Sequence, residues 1–111
     1  MSLSDKSCVP CKVGAPKLSL SEAKELLKQL KPGWKIEEKK DVLVLVNELV
    51  FENFAKAIVF INNLALVCEE QGHHANFYLH DWNKLKLELY THKINGLHEN
   101  DFILASKIDS L

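Results

Sequence analysis

Three of the five histidines in this 111-residue chain fall in two short segments. Glu69-Glu70-Gln71-Gly72-His73-His74 carries a pair, and Tyr90-Thr91-His92 carries the third. Histidine is the side chain whose unperturbed pKa lies nearest neutrality, so one imidazole can accept a proton while another delivers one. A pair at the end of one element and a third at the end of a later strand can converge on one pocket. The same trio could also ligate a metal. Adjacent side chains of an extended segment point to opposite faces, which makes His73 and His74 a poor chelating pair.

The elements that would position these residues follow from periodicity. Ser19 or Ser21 can cap a first helix, with Glu22 at capping-box spacing from Ser19. Leu20, Ala23, Leu26, Leu27 and Leu30 form its apolar stripe, and Pro32-Gly33 ends it. Trp34 to Lys40 and Val42 to Val46 read as a hairpin around a polar turn. Phe51 to Gln71 is the longest helix. Phe54, Ala57, Ile58, Ile61, Leu64, Ala65 and Cys68 are expected on one face, widened by Phe60 and Val67. Gly72 suits the position just past a helix end, because glycine enters the left-handed conformation without penalty. His73 to Leu79 is a third strand or an extended loop. Leu85, Leu87 and Leu89 alternate with Lys86, Glu88 and Tyr90, the pattern of a half-buried antiparallel strand. That parity puts His92 on the accessible side. After the Asn95-Gly96 turn, a last helix starts at His98 or Asn100 and buries Phe102, Ile103, Ala105, Ile108 and Leu111. The expected fold is an α+β two-layer domain: a four-stranded antiparallel sheet with three helices on one face, in the order α-β-β-α-β-β-α. Residues 1–16 read as a flexible tail and residues 17–111 as the domain.

Composition narrows the function classes. Lys plus Arg (14) nearly balances Asp plus Glu (15), so no basic excess points to direct nucleic-acid binding. All the cationic residues are lysine, which excludes bidentate guanidinium clamping of phosphate or carboxylate. No apolar run is long enough to span a membrane, and the first residues lack the pattern of a signal peptide. A cytoplasmic protein is expected, with a nuclear or organellar pool open. The three cysteines, Cys8, Cys11 and Cys68, do not suggest a disulfide framework. Cys8-Val9-Pro10-Cys11 is an isolated CxxC, readable as half a zinc site or a redox pair, with no second half in the chain.

From about Leu18 to its end, the chain resembles the pterin-4a-carbinolamine dehydratases. The resemblance is carried by Glu69 to His74, by Trp82-Asn83-Lys84 through Tyr90-Thr91-His92, by Gly96-Leu97 and by Asp101 to Ile108. Gly33-Trp34 and Phe51-Glu52-Asn53-Phe54 add to it. It implies the same order of elements and one activity: loss of water from a 4a-hydroxytetrahydropterin to give the quinonoid dihydropterin, recycling the pterin of aromatic amino acid hydroxylases. It implies no metal or organic cofactor. By the same resemblance His73, His74 and His92 are the catalytic histidines, with proton transfer assigned to His74 and His92 and orientation to His73. Glu69, Tyr90, Thr91, Lys93 and Asp101 become substrate-binding residues, with Asp101 expected to orient His92. Many members continue the His-His pair with proline, an acid and tryptophan, where this chain has Ala75-Asn76-Phe77. The spacing to Trp82 is also one residue longer than in the common animal form.

Other readings stay open. Trp34 is either core or a stacking platform for a pterin. Trp82 reads as structural, and His80 and His98 as solvated loop or cap residues. The broad apolar face of the long helix suits a homo-oligomer, a dimer or tetramer. Some animal members of the family also dock a transcription factor there, so a non-enzymatic binding module or coactivator is the alternative function.

Overall fold

The alternating leucines set the inner face of the sheet. In a computed structural model that describes residues 2–10 and 12–111, Leu85, Leu87 and Leu89 lie on β4 (Lys84–Leu89) and expose no surface. β4 pairs on one side with β2 (Val42–Val50) and on the other with β3 (Asn76–His80), while β1 (Lys35–Lys39) flanks β2. All pairings are antiparallel, in the order β1-β2-β4-β3. Three helices, α1 (Leu20–Leu27), α2 (Phe54–Gln71) and α3 (Glu99–Ile108), supply the covering layer, giving the expected α-β-β-α-β-β-α domain. Leu45 and the β4 leucines meet Ala23, Leu64, Cys68, Phe102, Leu104 and Ala105 in one apolar core.

Local chemistry explains the boundaries. Ser19 is the α1 cap: its hydroxyl accepts from Glu22 N, and the Glu22 carboxylate accepts from Ser19 N. The helix stops at Leu27, short of Pro32-Gly33, and its last residues continue as turns. α2 starts at Phe54, three residues later than periodicity suggests, because Asn53 accepts from Lys56 N and so caps it. Lys40 and Asp41 make the tight β1–β2 turn with positive φ at both positions. Among the described residues, no helix is long and apolar enough to cross a membrane.

Two expectations about packing change. The buried stripe of α2 is Ala57, Leu64 and Cys68 with Phe60, Ile61 and Val67 beside it; Phe54, Ile58 and Ala65 face outward. Apolar residues surround much of this helix, so the pattern alone cannot choose the stripe that the sheet covers. Leu111 is exposed rather than inward. The first sixteen residues, read as a flexible tail, are irregular over most of their described length, yet a 3₁₀ turn at Leu3–Asp5 buries Leu3 in the core.

Trp34 is core. It is 5% exposed, and its Nε1 donates to Asp109 Oδ1 at 2.8 Å, fastening the start of β1 to the end of α3. Trp82, by contrast, is 60% exposed at the β3–β4 turn, where φ is +58°. Trp34→Phe removes the indole donor and part of the ring volume. We expect a loss of about 1–3 kcal/mol in chemical denaturation, with ligand affinity at the histidine cavity unmoved.

Candidate active site

The ends of three elements build the site. α2 terminates in a Schellman arrangement: His73 N donates to Cys68 O at 3.2 Å and Gly72 N to Glu69 O at 3.3 Å. Gly72 takes φ +64°, a conformation that would strain any residue with a Cβ. This sharp stop throws His73 and His74 off the helix end. β4 stops at Leu89, and the chain closes a small loop in which Thr91 N donates to Gly96 O at 2.8 Å. A 3₁₀ turn at His92–Ile94 sits inside the loop, pinned below by buried Ile94 and Leu97. His92 is exposed, as strand parity suggested, although it stands on the turn and not on the strand.

α3 contributes the buried support. Its cap is His98, whose Nδ1 accepts from Asn100 N at 3.0 Å. Asp101 closes the capping box by accepting from His98 N at 3.0 Å. The same carboxyl accepts from Thr91 Oγ1 at 2.9 Å and lies 2.7 Å from His73 Nε2. Asp101 is fully buried, so it reaches the cavity only through His73 and Thr91. The sequence reading paired it with His92 and with substrate; the structure pairs it with His73, because the first turn of α3 lies under the end of α2. With its proton on Nε2, His73 presents Nδ1 as an acceptor. Glu69 pairs with His74 instead, its Oε2 lying 2.5 Å from Nε2. His92 stacks obliquely on Tyr90, with ring centroids 4.1 Å apart.

His73, His74, His92, Glu69, Tyr90, Thr91 and Lys93 all line one cavity of about 540 Å³, a volume suited to a small bicyclic ligand. The neighbouring histidines His73 and His74 turn to different acids, as an extended pair should. Trp34, Trp82 and His80 lie elsewhere; His80 sits 3.1 Å from Asp81 Oδ2 and 3.4 Å from Glu48 Oε1. What periodicity and motif missed is the further lining by Cys8, Val9 and Pro10 together with Gln71, Asn76 and Asn100. The signal was faint: an apolar Val9-Pro10 step in a polar stretch, and an asparagine next to Asp101. Of the CxxC pair, Cys11 lies outside the described residues. Burial, and then the nearby charge of Asp101, pushes the Cys8 thiol up to about 11.

The family described as "Pterin 4 alpha carbinolamine dehydratase" has a profile that matches residues 16–111. A protein of Rickettsia canadensis, provisionally named pterin-4-alpha-carbinolamine dehydratase, is 44% identical over 108 residues, which cover 97% of this chain and 95% of that protein. A protein of Methylococcus capsulatus with the same provisional name is 42% identical over 110 residues, covering 99% of this chain and 93% of its own. A crystal structure from Brucella melitensis, titled as a transcriptional coactivator/pterin dehydratase, superposes with a TM-score of 0.75 at 28% identity. It covers 86% of this chain and 97% of that one.

The thiol position has a readable consequence. The thiolate is the nucleophile, so Cys8 in the native chain should alkylate slowly at neutral pH, its rate climbing as pH approaches about 11. In the denatured chain the climb should come near the ordinary thiol range. Site-resolved mass spectrometry of iodoacetamide-treated samples across pH checks this; identical native and denatured profiles would contradict it.

Proposed function

The chain belongs to the pterin 4 alpha carbinolamine dehydratase family, and from that premise we propose that it dehydrates a 4a-hydroxytetrahydropterin to the quinonoid dihydropterin. In this step the C4a–O bond breaks with its electron pair going to oxygen. The leaving oxygen takes a proton, a ring nitrogen gives one up, and the products are the dihydropterin and water. The reaction recycles the pterin used by aromatic amino acid hydroxylases. The observation that carries the reading is the convergence of three imidazoles on one cavity, two of them backed by a carboxyl and the third by an aromatic ring.

Burial supports a division of roles. His73 has a side chain only 13% exposed and is tethered to Asp101, which suits orientation and stabilisation of the ring. His74 and His92 are exposed to the cavity and free to face substrate, which suits proton transfer. Glu69 holds His74 or accepts from a ring nitrogen. Tyr90, Thr91 and Lys93 form the surrounding wall, and Asp101 acts through His73 as a positioning residue.

His74→Ala and His92→Ala should each lower turnover by about a hundred- to ten-thousand-fold, the usual contribution of one general acid or base. The assay is a coupled hydroxylase reaction limited by pterin recycling, with circular dichroism to verify the fold. Unchanged turnover in both variants would sink the assignment.

The outward face of α2 supports a homo-oligomer. Phe54, Val59 and Leu66 are each more than half exposed, apolar surface that association would cover. The alternative reading, a coactivator-like module that docks a transcription factor, uses the same surface and draws on the Brucella melitensis protein's description as a transcriptional coactivator. Leu66→Glu together with Phe54→Lys should reduce the particle mass measured by light scattering to that of a single chain. A mass unchanged by the double substitution would argue against association through α2.

A further inference from the structure

Residues 8–10 line the cavity, with anchored stretches before and after them in the sequence. On one side Leu3 is buried, Lys107 Nζ donates to Ser4 O at 3.0 Å, and Lys6 pairs with Glu99 at 2.8 Å. On the other, Leu18 N donates to Leu97 O at 2.8 Å. Between them the backbone is gripped directly. Cys8 N donates to Gln71 Oε1 at 2.8 Å. Asn100, only 2% exposed, accepts from Val9 N at 3.0 Å and donates to Val9 O at 2.7 Å, pairing with this residue as a neighbouring strand would. These are contacts to main chain, so they fix where residue 9 sits without fixing which side chain it carries. Asn100 is also adjacent to Asp101, so one helical turn sets the strap and His73 in register.

The chemistry of the strap's inner surface is one-sided. The Cys8 N–H is spent on Gln71, both Val9 backbone groups are spent on Asn100, and Pro10 has no N–H. The strap therefore offers no backbone donor to a ligand. It offers Val9, 58% exposed, and exposed Pro10, both lining the cavity. Such a wall gives a pterin's ring acceptors no N–H, whereas the histidines and Glu69 on the cavity offer both donors and acceptors. It also precedes the residues matched by the family profile.

We propose that the Cys8–Val9–Pro10 strap is the specificity wall of the pocket: it meets the substituent at carbon 6 of the reduced pterin and selects its size, while Asn100 and Gln71 act as positioning residues. The inference rests on the pterin-dehydratase reading of the same cavity. Its test compares kcat/KM for two 4a-hydroxytetrahydropterins, one with a methyl group at carbon 6 and one with a dihydroxypropyl chain. Both are measured on the intact chain and on Val9→Trp, Val9→Gly and Asn100→Ala. Val9→Trp should shift the ratio against the longer substituent by about tenfold, the scale on which an apolar pocket discriminates, with the change carried by KM. Val9→Gly should shift it the other way. Asn100→Ala, which frees the strap, should bring the ratio toward one. Val9 is well exposed within the cavity wall and lies outside the buried core, so those variants remain informative if Asn100→Ala fails to fold. A ratio unmoved by both Val9 variants, or an equal fall in kcat on both substrates, overturns the proposal while leaving the dehydratase reading in place. An unmodified chain that dehydrates neither pterin removes that reading, and this inference with it.

Discussion

The architecture of the site depends on one buried carboxyl. Asp101 exposes no surface and is hydrogen-bonded to three groups on three different segments: His73 after α2, Thr91 after β4, and the backbone of His98 at the start of its own helix. Burying an unsatisfied acid is costly, while a fully partnered one holds its partners rigidly. Leaving one such buried group unpaired typically costs about 1–3 kcal/mol. The same three hydrogen bonds that make Asp101 tolerable in the core are therefore the ones that bring the two histidine-bearing segments together.

Helix ends do the rest of the positioning. The Schellman stop at Gly72 turns the chain abruptly enough to display two consecutive histidines, and the capping box of α3 spends its acid on the neighbouring segments as well as on its own backbone. The covering layer thus presents its polar ends at one edge of the sheet, while its apolar faces close on Leu45 and the β4 leucines. The three histidines of the cavity stay outside the apolar core, while Thr91, Asn100 and Asp101 are buried beneath them as support.

Much of this was legible in the residue pattern. Period-two leucines, the glycine stop and the capping box each encode a local structure, and together they order the elements and place both histidine segments at element ends. Three things were not legible. Asp101 lies close in sequence to His92 but is bonded to His73, because the relevant proximity is created by packing of α3 under α2. The outward turn of Phe54 and Ile58 was hidden because an apolar residue looks alike on a covered and an uncovered face. The strap at Val9 was hidden because Asn100 recognises its main chain, and main-chain recognition leaves no mark on side-chain composition.

The central pairing of the sheet bears on how the protein comes into being. Leu45 is paired with Leu89, so β2 and β4 meet only after the chain between them has looped back, carrying α2 and β3 with it. Closing so large a loop is entropically expensive before its contacts repay it, and such non-local pairings are slow steps in folding. The cavity walls come from segments far apart in the sequence, so no short fragment of the chain holds them all. During synthesis Val9 and Pro10 emerge before the histidine pair, and the Asp101 carboxyl emerges after it. A nascent chain that has not yet released Asp101 therefore lacks the group that ties His73 to Thr91, and the pocket takes shape only when α3 docks.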